Sequence, residues 1–194
     1  MTSIRRLALI APLAAVSLSG CGINSIPTAE EAAKAKWANV QADYQRRADL
    51  IPNLVATVKG FAKQEKDVLT TVTQARASAN QITLSPGDLT DPAKVQAFQS
   101  AQNNLTLATR QLQEAYPELK SNANFMALQS QLEGTENRVN ISIKDYNEAV
   151  QSYNTTIRTF PDAIGAKIFY GSKPMVTYTA TAPNADRAPT VDFK

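Results

Sequence analysis

Residues 125–160 read FMALQSQLEG TENRVNISIK DYNEAVQSYN TTIRTF, and the spacing within this stretch decides the fold. Phe125, Leu128, Leu132, Thr135, Val139, Ile143, Tyr146, Val150, Tyr153, Ile157 and Phe160 follow one another only by steps of three or four, with a mean of 3.5 residues. That is the period of helices wound around one another. The spacing predicts one long helix with all of these positions facing a core, and such a stripe needs other helices to cover it.

Working outward, the flanking sequence supplies them. Ser121 or Asn122 caps this helix, after a break at Tyr116-Pro117-Glu118-Leu119-Lys120-Ser121. Upstream of the break a helix runs to about Ala115 with Val95, Phe98, Leu105 and Leu112 inward, opened by an Asp91 cap and Pro92 in its first turn. Before it, Leu84-Ser85-Pro86-Gly87-Asp88 ends an earlier helical run near Ile82. That run begins at Thr28, where Thr28 and Glu31 fit a capping box. Its stripe is Trp37, Val40, Tyr44, Ala48, Ile51, Val55, Val58, Ala62, Leu69 and Val72, widened by Leu50, Leu54, Phe61 and Val68. Pro52 falls inside the pattern and either kinks the helix or turns the chain back. Trp37, Phe61 and Phe125 read as core. Gly60 and Gly134, each costing about 1 kcal/mol in a helix, suggest close helix contact. From Pro161 four prolines and two glycines rule out another long helix. Met175 to Thr181 has strand propensity without a partner strand, so an extended tail is expected, lying along the bundle or loose, with its last twenty residues disordered. The fold class is all-α.

Composition agrees and removes much chemistry. The 194 residues are 43% hydrophobic with only seven glycines, few for a turn-rich β protein. There is no histidine and one cysteine, which excludes a Ser–His–Asp triad, a Cys–His dyad, a Cys/His zinc site and an intrachain disulfide. No cofactor is expected. The net charge of +3 falls to +1 without Arg5 and Arg6, and no basic stripe is interleaved with aromatics, so nucleic acid is not an expected partner.

The amino terminus has its own logic. Arg5 and Arg6 precede twelve apolar residues, Leu7 to Leu18, too few for the roughly 20 of a spanning helix. Leu18-Ser19-Gly20-Cys21 then matches the bacterial lipobox. The expectation is a signal peptide over residues 1–20, lipidation of Cys21 with diacylglycerol and an amide-linked acyl chain such as palmitate, and a membrane-anchored lipoprotein. Gly22, where an Asp would retain a Gram-negative lipoprotein at the inner membrane, points to the periplasmic face of the outer membrane. In a Gram-positive cell it would be the outer face of the plasma membrane. The organisation read is a signal peptide at 1–20, a linker at 21–27, a bundle at 28–160 and an extended or partly disordered tail at 161–194.

No catalytic set is visible. Two polar groupings are candidates for binding or structure. Glu133 and Glu136 share one side of a helix, with Asn137 beside them, and could serve as acid and base or hold a hard cation. Pairing with Arg46, Arg47 or Arg138 is the favoured reading. The ladder Gln129, Glu133, Glu136, Asn140, Asn147, Asn154 fits a register-setting role between helices. Arg46, Arg47 and Asp49 could hold an anion, with helix pairing or solvation favoured, and Asn53 could cap a helix restarting after Pro52.

With these segments in place the chain resembles the LemA family. The resemblance rests on Gln45-Arg46-Arg47-Ala48-Asp49-Leu50-Ile51-Pro52-Asn53-Leu54-Val55 with Val58-Lys59-Gly60-Phe61-Ala62, and on Tyr116-Pro117-Glu118-Leu119-Lys120-Ser121-Asn122 with Asn124-Phe125. It continues through Leu132-Glu133-Gly134-Thr135-Glu136-Asn137-Arg138-Val139, Asp145-Tyr146-Asn147, Tyr153-Asn154, Phe160-Pro161 and the closing Pro189-Thr190-Val191-Asp192-Phe193. The resemblance implies a membrane-attached antiparallel four-helix bundle without an assigned activity. It departs at the start, where family members usually carry a transmembrane helix and this chain carries a lipobox. The reading that follows is a non-enzymatic interaction or scaffold module of the cell envelope, tethered through Cys21 and meeting an envelope protein partner. The alternatives are a module binding a small ligand or cell-wall fragment, and a hydrolase using Glu133 and Glu136.

Overall fold

The computed structural model describes residues 24–60 and 67–179. The signal peptide, Cys21, Phe61, Ala62 and the end of the tail lie outside the described residues. Within them four helices of fifteen residues or more form an antiparallel bundle: α1 (Ser25–Lys59), α2 (Asp67–Gln81), α3 (Pro92–Ala115) and α4 (Ala123–Thr156). The long helices α1 and α4 lie side by side and run oppositely, since Lys36 meets Asp145, Asp43 meets Ser142 and Arg47 meets Glu136. The shorter α2 and α3 pack on each other and close the other side.

Pro52 neither ends α1 nor turns the chain. The helix runs through it to Lys59, and Gly60 closes it by donating its N–H to the Ala56 carbonyl at 3.3 Å. The expected single run to Ile82 is therefore two helices, the second packed back on the first. A phase-matched stripe cannot separate these cases, because both bury the same positions. Proline has no N–H for the carbonyl four residues back, which here belongs to Ala48. Arg76 on α2 fills the gap, donating Nε to the Ala48 oxygen at 2.8 Å. The backbone defect in α1 becomes a tie to α2.

The helix ends follow side-chain chemistry. Asp91 accepts the N–H groups of Ala93 and Lys94, and Asn122 accepts that of Phe125 at 3.0 Å, both as expected. The start of α1 differs. It begins at Ser25, and Thr28 is inside the first turn, donating its hydroxyl to the Asn24 carbonyl at 2.7 Å instead of capping. Pro27 sits there without penalty, because first-turn N–H groups lack intrahelical partners anyway.

The core has two joined halves. One gathers Trp37, Tyr44, Phe98, Val139, Tyr146, Val150 and Tyr153, with Trp37 packed on Phe98 and Tyr146 at ring-centroid distances of 5.4 and 5.1 Å. The other gathers Ile51, Leu54, Val58, Leu69, Val72, Leu105, Leu112, Leu119, Phe125 and Leu132. The stripe of α4 faces these cores as expected except at its end. Phe160 is 82% exposed, because α4 stops at Thr156 and the spacing no longer fixes a face. Gly134 has open space where a Cβ would stand, and Gly60 is a helix cap, so neither marks close helix contact.

After α4 the chain makes a short helix α5 (Asp162–Gly165), continues in a wider helical turn over Ala166–Tyr170, and reverses at Gly171 with φ +56°. Ser172 donates its N–H back to the Ala166 carbonyl across that turn. Residues 172–179 are extended and lie along the bundle, burying Met175 and Tyr178. No strand forms among the described residues.

Candidate functional site

The candidate residues of the sequence converge only in part. Arg47 is 5% exposed, buried between α1, α3 and α4. Its Nη1 donates to Thr106 Oγ1 at 2.6 Å and to Glu136 Oε2 at 3.0 Å, and its Nη2 donates to the carbonyl and side-chain oxygens of Gln102 at 3.1 and 2.9 Å. The guanidinium also stacks over the Tyr44 ring, 4.9 Å from its centroid. Arg47 Nε is buried with no hydrogen-bond partner among the described residues. A buried cation is tolerable only when paired and hydrogen-bonded, and α1, α3 and α4 must all be in register to supply these partners. The favoured reading of Glu136 as an ion-pair partner holds, with Arg47 as the arginine.

The other candidates stay apart from this buried layer. Arg46 points outward with Asp43 at 4.0 Å, and Asp49 accepts from Gln45 at 2.7 Å on the same exposed face. Asn53 is exposed, and because α1 does not restart after Pro52 it caps nothing. Glu133 accepts from Gln129 at 3.2 Å, and Asn137 is exposed. Glu133, Glu136, Arg47 and Arg110 do share the rim of a shallow groove of about 290 Å³ between α3 and α4.

The polar ladder of α4 does something its sequence did not show. Asn154 donates Nδ2 to the Met175 carbonyl and accepts the Met175 N–H on Oδ1, both at 2.8 Å. Asn147 does the same for Tyr178, at 2.8 and 2.7 Å. Seven helical residues span about 10.5 Å, and three extended residues span about 10 Å, so the two asparagines match the tail's repeat. Tyr146 and Tyr153 donate their hydroxyls to the carbonyls of Val176 and Lys173, and Val176 donates its N–H to the Leu89 carbonyl at 2.8 Å. Side chains of α4 thus replace the neighbouring strand that residues 175–178 lack. The ladder thus sets register twice: Glu136 against the neighbouring helix through Arg47, and Asn147 and Asn154 against the tail.

The tail also reaches the buried arginine layer. The Tyr178 and Tyr44 hydroxyls are 2.5 Å apart, and Tyr44 lies beneath Arg47. Burial, and then the Tyr178 neighbour, push the Tyr44 phenol far above the ordinary tyrosine value. Burial also raises Tyr178, Tyr146 and Tyr153. These phenols stay protonated and serve as hydrogen-bonding posts. Beside the tail, an open groove of about 980 Å³ runs along the outer face of α4 from Asn140 to Thr159, walled by Thr177, Tyr178 and Thr179.

Among the described residues no group of three or more His, Cys, Asp or Glu side chains is arranged to hold a metal ion. No described helix is long and apolar enough to cross a membrane. Cys21 lies outside the described residues. Compared with known proteins, residues 36–193 match the model of the LemA family. The chain is similar to Protein LemA of Metamycoplasma hominis, 25% identical over 121 residues that cover 62% of this chain and 52% of that relative. It therefore spans about half the length of the curated relative it matches.

Proposed function

This chain belongs to the LemA family, and from that premise we propose that it is a lipid-anchored, non-enzymatic interaction module of the cell envelope, held to its membrane through Cys21. The observation that carries the reading is the engagement of Glu136. This carboxylate, half of the pair that could do chemistry, answers the buried Arg47 and so helps hold three helices in register. The lipobox supplies the tether, and the long exposed faces of α1 and α4 supply surface for a partner. Two or three acyl chains at about 0.8 kcal/mol per buried methylene hold such a protein on a bilayer.

The test has two arms. Intact-mass measurement of the protein from native membranes reports the acylation of residue 21, and an unmodified cysteine removes the tether. Cross-linking in the intact envelope, followed by capture, should recover the same envelope protein with the lipidated chain in repeated preparations. Recovery of nothing above background, with both lipidated and Cys21→Ser chains, refutes the module.

A second reading draws on the groove between α3 and α4, where Arg110 and Glu133 flank the Arg47–Glu136 pair. It is a module for a small zwitterionic ligand or cell-wall fragment, and a melting screen with such fragments tests it. The hydrolase alternative requires that Glu133→Gln abolish an activity while the melting temperature holds.

A further inference from the structure

Eight large hydrophobic side chains are prominently exposed among the described residues, and five of them fall between residues 160 and 170. Phe160 is 82% exposed, Ile168 and Phe169 are each 68% exposed, and Ile164 and Tyr170 accompany them. The other three, Leu107, Met126 and Ile141, are scattered along the bundle. Scattered apolar side chains need no explanation, but five within eleven residues of chain do. The helical turns over 162–170 show why it forms. Gly165 and Ala166 face inward, with Gly165 close enough to α1 that a Cβ there would lie 3.5 Å from Ile26 Cδ1. The residues on either side of this seam are thereby turned outward.

The position of this apolar tip identifies its occupant. Ser25 donates its hydroxyl to Asp162 Oδ2 at 2.9 Å, so the first turn of α1 and the start of α5 share one end of the bundle. Cys21 precedes Asn24 by three residues, a reach of at most about 11 Å. Charge points the same way. Arg158, Lys167 and Lys173, which flank and interleave this segment, are exposed, and between residues 158 and 179 the acidic side chain among the described residues is Asp162, which accepts from Ser25. Glu30 and Glu31, a turn into α1, are both paired with Lys34.

We propose that this tip is a lipid-contacting surface: Phe160, Ile164, Ile168, Phe169 and Tyr170 enter the interfacial layer of an anionic bilayer, and the bundle stands on that end. Aromatic and aliphatic side chains ringed by lysine and arginine suit the boundary between headgroups and acyl chains. The basic residues add attraction to anionic lipid that salt weakens. The tip is a second membrane signal beside the tether, and it would fix the orientation of a body that an acyl tether alone leaves free to rotate.

The inference takes its choice of occupant from the anchored reading, but its test does not need the lipid. The chain from residue 21 carrying Cys21→Ser is mixed with vesicles of phosphatidylethanolamine containing a quarter phosphatidylglycerol and sedimented. It should bind, and more weakly to pure phosphatidylcholine vesicles or at high salt. Ile168→Ser with Phe169→Ser should lower the partition coefficient by roughly tenfold or more with the melting temperature unchanged, since both side chains are mostly in solvent. A parent chain that stays in the supernatant with every vesicle, or a double variant that binds as well as its parent, overturns the proposal. So does a dimer in sedimentation equilibrium that the double variant dissolves while neither chain binds vesicles. An unmodified residue 21 in native protein would sink the tether and leave a positive vesicle result standing.

Discussion

Replacing Asn154 by alanine removes two hydrogen bonds to one residue of the tail, the N–H and the carbonyl of Met175. Each such bond contributes about 1 kcal/mol net when its partners can return to water. Asn154→Ala should therefore cost about 1–2 kcal/mol, or roughly 2–8 °C in melting temperature for a chain of this size. Asn147→Ala should cost a similar amount at Tyr178. The two sites hold one segment, so the double variant should lose less than the sum, because the tail leaves as a unit once either grip fails. Asn154→Asp is the sharper probe. It keeps an acceptor for the Met175 N–H but sets a carboxylate against the carbonyl, so its cost should equal or exceed that of alanine. The decisive assay is amide hydrogen exchange. Met175 and Tyr178 should lose protection in their respective variants, while amides inside α4 keep theirs. An Asn154→Ala chain with an unchanged melting temperature and a Met175 amide as slow as in the parent would refute the reasoning.

Four further outcomes follow from the structure. Arg47→Ala strands the buried side-chain oxygen of Gln102, at about 1–3 kcal/mol, while the Gln102 carbonyl keeps the Thr106 hydroxyl; with the bond to Glu136 also lost, stability by denaturant titration should fall by about 2–4 kcal/mol. Glu136→Gln keeps a neutral acceptor but takes the counter-charge from the buried guanidinium; because that carboxylate is 41% exposed, the cost should be about 1–2 kcal/mol, below that of Arg47→Ala, and an unchanged stability would mean that the pair does not hold the helices in register. Tyr44 is held protonated by burial, so its folded value lies above the ordinary 10.0. Its contribution is whole below pH 10 and is lost as pH rises beyond, so Tyr44→Phe should flatten the alkaline fall in stability by about 1.4 kcal/mol per pH unit. Pro52→Ala restores an N–H for the Ala48 carbonyl; the helix interior gains up to about 3 kcal/mol less the displaced Arg76 bond, which calorimetry should register as net stabilisation.

Much of this fold was readable because helix packing writes itself into sequence as a period. The stripe from Phe125 to Ile157, the Asp91 and Asn122 caps and the inward set of α3 all lie where spacing and capping chemistry put them. Pro52 shows where such reading stops. The residue announces a missing N–H, but whether the helix breaks depends on what else can satisfy the Ala48 carbonyl. The answer is Arg76, twenty-eight residues away on another helix. Phe160 shows a second limit: its step of three is correct, but the helix that gave the step meaning had already ended at Thr156.

The same distinction governs the candidate site. The sequence offered Arg46, Arg47 or Arg138 as partners for Glu133 and Glu136, because opposite charges bordering apolar stripes tend to pair, and the structure unites Arg47 with Glu136 while Arg46 lies by Asp43. The asparagine ladder was visible as a repeat of seven, but its partner was not, because an amide side chain that grips a backbone N–H and carbonyl asks nothing of the side chain it holds. Met175 and Tyr178 therefore carry no side-chain mark of being held by these asparagines; their side chains are buried once the backbone is positioned. The consequence reaches Arg47. Tyr178 seals Tyr44, Tyr44 floors the guanidinium, and the guanidinium ties α1 to α3 and α4. A tail that looked peripheral in sequence is thus the outermost link to the one buried charge among the described residues, and loosening Asn147 should be felt at Glu136.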